Sequence, residues 1–213
     1  MYVVELWRYP VKSMAGEPLE QVIVGSFGLE GDRVVHVEDA QGRVVTARTH
    51  PRLLGHEAFL DSAREPRVDG RLWTEPGVLE DVERIVGPGA RLVRDEGADR
   101  FDILPVLVAT DGAINAFGYD GRRLRPNLVI AGVEGLAERT WPGRRLQIGE
   151  VVIGLESLRG RCIMTTFDPD TLEQDRRVLT SIVRRFGGKL ALDAAVRRGG
   201  LVRRGDEVEL IPT

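Results

Sequence analysis

The only cysteine of this 213-residue chain, Cys162, lies in Leu158-Arg159-Gly160-Arg161-Cys162-Ile163-Met164-Thr165-Thr166-Phe167-Asp168-Pro169, directly after an apolar run that reads as a strand. The thiolate is the form of cysteine that attacks electrophiles or binds soft metals, and Arg159 and Arg161 beside it would favour that form. The alternative is a small buried hydrophobe with no reaction at all, because alternation next to a turn does not show whether the sulfur is exposed.

Three further segments carry groups suited to anions. Lys12 and Ser13 follow Tyr9-Pro10-Val11 at the end of the first strand, and Arg33 follows Gly28-Leu29-Glu30-Gly31-Asp32. A cation and a hydroxyl at strand ends can face a phosphate, with glycine letting backbone donors approach. Asp120-Gly121-Arg122-Arg123-Leu124-Arg125-Pro126-Asn127 places three arginines and an amide before the apolar run Leu128 to Ile130. Arginine suits bidentate recognition of phosphate or carboxylate, and Pro126 is expected to hold Arg125 extended while Arg122 lies solvated in the turn. Each segment taken alone is also an ordinary solvated turn.

Other chemistries find less support. His36 sits on an alternating strand, and His50 and His56 flank a proline and a glycine with no cysteine nearby, so no zinc set is legible. Serine hydrolysis lacks a nucleophile elbow. The glycines match neither the dinucleotide fingerprint nor the nucleotide-hydrolase phosphate loop. Asp168-Pro169-Asp170 reads as turn and cap residues. A single cysteine excludes an internal disulfide and an iron–sulfur site built from cysteines of this chain alone, and it agrees with a reducing compartment.

The elements that must position these residues are short. The 25 glycines divide the chain into Val-rich runs at Glu20–Val24, Arg33–Val37, Arg43–Thr46, Ala90–Val93, Gly149–Leu155 and Glu207–Ile211, with Asp39–Gly42 as a hairpin turn. Helices are expected over Asp111–Phe117, capped by Thr110 or Asp111 and ended by Gly118, over Leu79–Val86, over Glu134–Arg139, and over Asp175–Phe186. In the last, Val178, Leu179, Ile182, Val183 and Phe186 form one apolar stripe that Gly187-Gly188 stops. The mixture predicts a mainly β chain with short helices (α+β), a closed or nearly closed barrel rather than regular βαβ units. The polar stretch Asp61–Gly70 reads as a surface connector or as an ordinary loop within one domain.

With 30 Lys and Arg against 33 Asp and Glu, the net charge of −3 offers no global field for nucleic acid or an anionic membrane. The strand-like start Tyr2 to Trp7 lacks the pattern of a signal peptide, and no run approaches the roughly 20 apolar residues that span a bilayer, so no transmembrane segment and a cytoplasmic location are expected.

Together, Tyr9-Pro10-Val11-Lys12-Ser13, Gly28 to Arg33, Arg125-Pro126-Asn127 and Arg161 to Asp170 resemble, in this order, the motifs of MOSC-domain proteins, in the branch related to the mitochondrial amidoxime-reducing component and its bacterial molybdenum-enzyme relatives. The resemblance implies a MOSC-type β-barrel core over residues 66–213 with a shortened N-terminal β-barrel portion over residues 1–65. A pyranopterin molybdenum cofactor (molybdopterin) would lie between them. It further implies Cys162 as the molybdenum ligand and catalytic residue, with Lys12, Ser13, Arg33, Arg125 and Asn127 holding the phosphate and pterin. Met14 stands where relatives often carry a second cysteine, and the Arg52–Phe101 portion is shorter than in eukaryotic relatives. No ferredoxin-like segment follows the core, so electrons are expected from a separate donor protein. The implied activity is an oxidoreductase acting on N-hydroxylated or N-oxide-like small molecules. The alternatives are a carrier of the cofactor or of persulfide sulfur, and a structural or interaction module.

Overall fold

The computed structural model describes residues 1–212, the side chain of Ala98 excepted. The alternating run Tyr2–Arg8 turns Val3 and Leu6 inward and pairs antiparallel with Leu128–Ala131 on one side and Glu17–Leu19 on the other. From this pair a mixed sheet continues, running in order Val208–Ile211, Arg145–Ile148, Val151–Gly160, Lys189–Arg198, Val106–Thr110, Leu128–Ala131, Tyr2–Arg8, Glu17–Leu19. Smaller sheets pair Val35–Glu38 with Val44–Val45 and Arg91–Arg94, and Gln21–Gly25 with Gly28–Leu29 and Gly200–Arg203.

The chain is mainly β with short helices, and the barrel is not closed. Tyr2 and Glu207 form a single bridge, beside which the turn Arg203–Asp206 lies against the first strand; Val3 N–H donates to the Asp206 carbonyl at 2.9 Å. A turn rather than an extended strand occupies the seam, so no continuous ladder forms there. Val106–Thr110 and Leu128–Ala131 run parallel, joined by a helical crossover. That is one βα-type connection in a sheet expected to lack regular βαβ units.

Among the described residues the α-helices are α1 (Pro76–Val86), α2 (Asp111–Phe117) and α3 (Arg176–Phe186). Thr110 Oγ1 caps α2 by accepting the Ala113 N–H at 3.1 Å, and Asp175 caps α3 by accepting from Arg177 N–H at 2.9 Å. Gly118 and Gly187 end these two helices in the left-handed conformation. The helix expected over Glu134–Arg139 is reduced to the 3-10 turn Ala137–Thr140, because Gly135 takes φ 55° and breaks the run. The connector expected at Asp61–Gly70 is instead part of a small meander of Ala58–Leu60, Pro66–Val68 and Arg71–Leu72. Asp61 Oδ1 closes its turn by accepting from Ala63 and Glu65, and Pro66, first in its strand, has a carbonyl that accepts from Trp73 N–H.

Two large apolar cores result, with smaller clusters beside them under α2 and α3 and on the sheet. One lies on the large sheet and includes Val3, Leu6, Ile130, Leu146, Ile153 and Leu155. The other gathers Val11, Met14, Val35, Leu53, Val78 and Val82. Lys12 and Ser13 follow the strand that feeds the first core and lie between two residues of the second, which puts the ends of several elements at one place. No helix among the described residues is long and apolar enough to cross a membrane.

Candidate functional site

The strand Val151–Gly160 carries bulges between Leu155 and Ser157 and between Leu158 and Gly160, where its pairing to Lys189–Arg198 slips. Bulges bend a strand and re-aim the residues beyond them. Here the chain leaves the sheet at Arg161, whose N–H donates to the Gly188 carbonyl, and Cys162 starts the 3-10 turn Ile163–Thr166. The Cys162 carbonyl accepts from the backbone N–H and hydroxyl of Thr165, at 3.1 and 2.8 Å, so the backbone beneath the sulfur is tied down. Cys162 itself is half-buried.

Cys162 opens into a cavity of about 410 Å³ whose walls include Lys12, Ser13, Arg33, Arg125 and Asn127. The structure therefore brings all six residues singled out in the sequence to one cavity. His36 pairs with Glu38, His56 with Asp69, and His50 lies beside Thr49, all away from its lining.

Ser13, Arg33 and Arg125 hold φ of 72°, 56° and 54°. Left-handed backbone is uncommon for non-glycine residues and gathers where the surrounding structure over-determines it. For Arg125, expected to be extended before Pro126, the left-handed conformation is a correction. It ends the 3-10 turn Gly121–Leu124, where its N–H donates to the Arg122 carbonyl at 2.9 Å. Its guanidinium stacks 4.2 Å from the Tyr9 ring centroid and donates to the Met14 carbonyl at 2.7 Å. These contacts outweigh the pre-proline preference.

Asp32, fully buried, is the hub beneath this wall. Its carboxylate accepts from the Tyr9 N–H at 2.8 Å and from Asn127 Nδ2 at 3.2 Å, and it pairs with Arg33. Asn127 also donates to the Trp7 carbonyl and accepts from the Leu107 N–H, so its amide ties three segments and keeps one oxygen lone pair. Gly28 lets the loop lie close: at φ 87°, a Cβ there would stand 2.8 Å from the Pro105 carbonyl.

The charges are unevenly satisfied. Lys12 pairs with Asp102 at 2.9 Å, and Arg48 pairs with the same carboxylate. Burial opposes ionisation of Asp102, but Lys12, Arg48 and Arg159 outweigh it and hold the carboxyl below its usual range. Arg159 donates to buried Asp193 at 2.8 Å, and Arg161 to the Leu124 carbonyl at 2.7 Å. Burial pushes Asp193 up, against the pull of Arg159. Of the two arginines flanking the cysteine, Arg159 is thus engaged by carboxylates, whereas Arg48, distant in sequence, shares the cavity wall with Cys162 and pairs with Asp102. Arg161 Nε and Arg123 Nε are buried without an acceptor, and the Ser13 hydroxyl has none among the described residues. Burial pushes the Arg125 and Arg161 guanidiniums down to about 10, which leaves both charged at neutral pH, and pushes the Tyr9 phenol up to about 12.

Sequence reasoning missed Arg48 and Asp102. Neither belongs to a spaced motif, and only tertiary contact joins Thr46–Arg48 to Phe101–Asp102 and Cys162. Arg122, expected to be solvated, is instead clamped by Asp120 and Asp170 outside the cavity, each at 2.7 Å. Arg123 lines the cavity and binds Asp168 at 2.8 Å, so the Asp168–Asp170 turn staples the arginine segment to the cysteine segment.

Residues 1–72 match the MOSC N-terminal beta barrel domain and residues 112–209 the MOSC domain. The chain is 27% identical over 233 residues to mitochondrial amidoxime-reducing component 1 of Homo sapiens, covering 82% of this chain and 68% of that protein. It is 26% identical over 280 residues to component 1 of Mus musculus, covering 98% and 82%. The fold is similar to that of the YuaD protein from Bacillus subtilis, with TM-score 0.56 and 14% identity over 100% of this chain and 96% of the other. By its two matched domains the chain belongs to the MOSC-domain family, and it is similar to the amidoxime-reducing components.

Proposed function

We propose that the protein is a molybdenum-cofactor-dependent reductase of N-hydroxylated or N-oxide-like compounds, supplied with electrons by a separate protein. The observation that carries this reading is the gathering of Lys12, Arg33 and Arg125 with the Cys162 thiol around one cavity. The residues fit the group. Lys12, Arg33 and Arg125 offer an anionic phosphate charge-assisted hydrogen bonds, and a thiol suits a soft-leaning metal centre. No cluster of three or more His, Cys, Asp or Glu stands ready for a metal among the described residues, so a metal at Cys162 would arrive with most of its ligands already attached.

In this reading Cys162 holds the metal through Sγ. Lys12, Arg33 and Arg125 face the phosphate from different directions, and Ser13 donates its hydroxyl. Asn127 offers its remaining lone pair to the pterin edge while holding Asp32 and the Tyr9 wall in place. The bound group supplies the two-electron redox chemistry, and the chain supplies ligation, orientation and charge balance. Arg48, which shares the cavity wall with Asp102 and Cys162, would keep positive charge near a metal held by Cys162. We also read the chain as an N-terminal portion over residues 1–65 packed on a core over residues 66–213, with the cavity walled by both.

Metal analysis and pterin extraction after expression in a cofactor-producing host test this directly. Stoichiometric molybdenum with molybdopterin, and reduction of an N-hydroxylated amidine driven by reduced methyl viologen, are expected. Labile sulfane sulfur on Cys162 without metal would establish the carrier reading instead. Folded protein with neither would overturn both.

A further inference from the structure

The apolar stripe of α3 is wider than the core it serves. Val178, Ile182 and Phe186, at spacing four, pack with Phe117, Leu124 and Leu190. The neighbouring row, Leu179 and Val183, faces outward beside Ile163, and Val183 and Ile163 are 56% and 36% exposed. The three line a shallow groove of about 570 Å³ that also includes Arg176 and Arg184. Other cations of α3 are engaged: Arg177 pairs with Asp175, and Arg185 donates to the Ala116 and Phe117 carbonyls. Arg176 and Arg184 make no side-chain hydrogen bond or ion pair with any described residue.

Two observations bear on what covers this face. Its exposed aliphatic side chains are bordered by two unpaired guanidiniums, which attract an acidic surface and repel a basic one. Ile163 is bonded directly to Cys162, so a protein seated on Ile163 lies one peptide unit from the residue proposed to hold the metal, on a groove separate from the cavity that Cys162 lines. We propose that Ile163, Leu179 and Val183, between Arg176 and Arg184, form the docking site for a small acidic one-electron carrier protein. The inference rests on the reductase reading. Conversion of N–OH to N–H with release of water consumes two electrons and two protons, so the carrier docks twice per turnover and is oxidised by one electron each time. The protons come from solvent.

The test uses the full chain loaded with cofactor, with an acidic plant-type [2Fe–2S] ferredoxin and a flavodoxin as probes. Binding is followed by calorimetry, and turnover is driven either by the reduced carrier or by reduced methyl viologen. At least one probe is expected to bind the parent with an affinity that falls steeply as salt rises. The Arg176→Glu/Arg184→Glu double variant and Val183→Glu should each weaken that binding by tenfold or more and slow carrier-driven turnover. Molybdopterin content and viologen-driven turnover should stay at the parent level. Circular dichroism checks the fold of these exposed substitutions. No binding of either probe to the parent, or equal binding by parent and variants, would overturn the docking face. A parent that lacks molybdopterin, or that viologen cannot drive, fails the reductase reading instead, and the binding titration on the same protein still decides the face.

Discussion

The Arg125 guanidinium lies 4.2 Å from the centroid of the Tyr9 ring, and Arg33 lies 5.0 Å from that same ring. One buried tyrosine thus holds two like charges together at the wall of a cavity. The ring's negative face partly offsets their repulsion, and Asp32 below supplies a full countercharge. The arrangement keeps both cations charged and aimed before any ligand arrives, which is the preorganisation an anion site needs.

Arg125→Ala should therefore weaken molybdopterin retention far more than Arg122→Ala. A charge-assisted hydrogen bond contributes about 1.5–3 kcal/mol, or roughly 10- to 100-fold in affinity. Arg122, clamped between Asp120 and Asp170 outside the cavity, should affect retention little. Pterin fluorescence after extraction from equal amounts of purified protein measures the difference, and equal content in the two variants would count against the assignment.

Cys162→Ser should fold and keep some pterin through the cationic wall, yet lose molybdenum and reductase activity. Serine is nearly isosteric, but its neutral hydroxyl is a poor replacement for a thiolate on such a metal. Molybdenum and pterin are to be measured separately, with circular dichroism to confirm folding. Full activity in a metal-loaded serine variant would remove Cys162 from the mechanism.

Asp102 is the countercharge shared by Lys12, Arg48 and Arg159. Asp102→Asn leaves those cations facing one another. Apoprotein carrying it should bind inorganic phosphate several-fold more tightly than the parent and melt at a lower temperature. Phosphate titration followed by calorimetry reads the first effect and thermal denaturation the second; unchanged phosphate affinity would show that Asp102 does not compete for the cationic wall.

Glu138 is fully buried and neither carboxylate oxygen has a well-formed hydrogen bond. Burial pushes its carboxyl above the usual range, opposed in part by its own backbone N–H, Arg139 and Thr110. A carboxyl whose folded value is raised binds its proton more tightly when folded, so stability is highest below the unfolded value, about 4.3, and is lost as pH rises through the folded value. Glu138→Gln removes that loss. The variant should melt several degrees above the parent at pH 8, at roughly 2–4 °C per kcal/mol for a chain of this size, with the advantage shrinking toward pH 4. A constant difference across that range would mean that Glu138 does not titrate in the folded protein as described.

The amino-acid order by itself determined the local elements and the types of residue at the site. Thr110 before Asp111–Phe117 and Asp175 before Arg176–Phe186 are caps whose chemistry acts within one turn, and the Asp39–Gly42 turn closes through Asp39 side-chain bonds to Gln41 and Arg43. Such interactions span a few residues and are legible from spacing. The same holds for Lys12, Ser13, Arg33, Arg125, Asn127 and Cys162, which sit in recognisable runs. That these runs converge was implied only by the family resemblance and not by their spacing, and the tertiary structure alone decided that Arg48 and Asp102 join them. It likewise left Tyr2 and Glu207 as a lone bridge, deciding against closure where a closed or nearly closed barrel was expected, and turned Val183 outward. Those outcomes depend on charge pairing and steric contact between segments tens of residues apart. A side chain's nearest ion partner, unlike its helix cap, leaves no trace in the spacing of the chain.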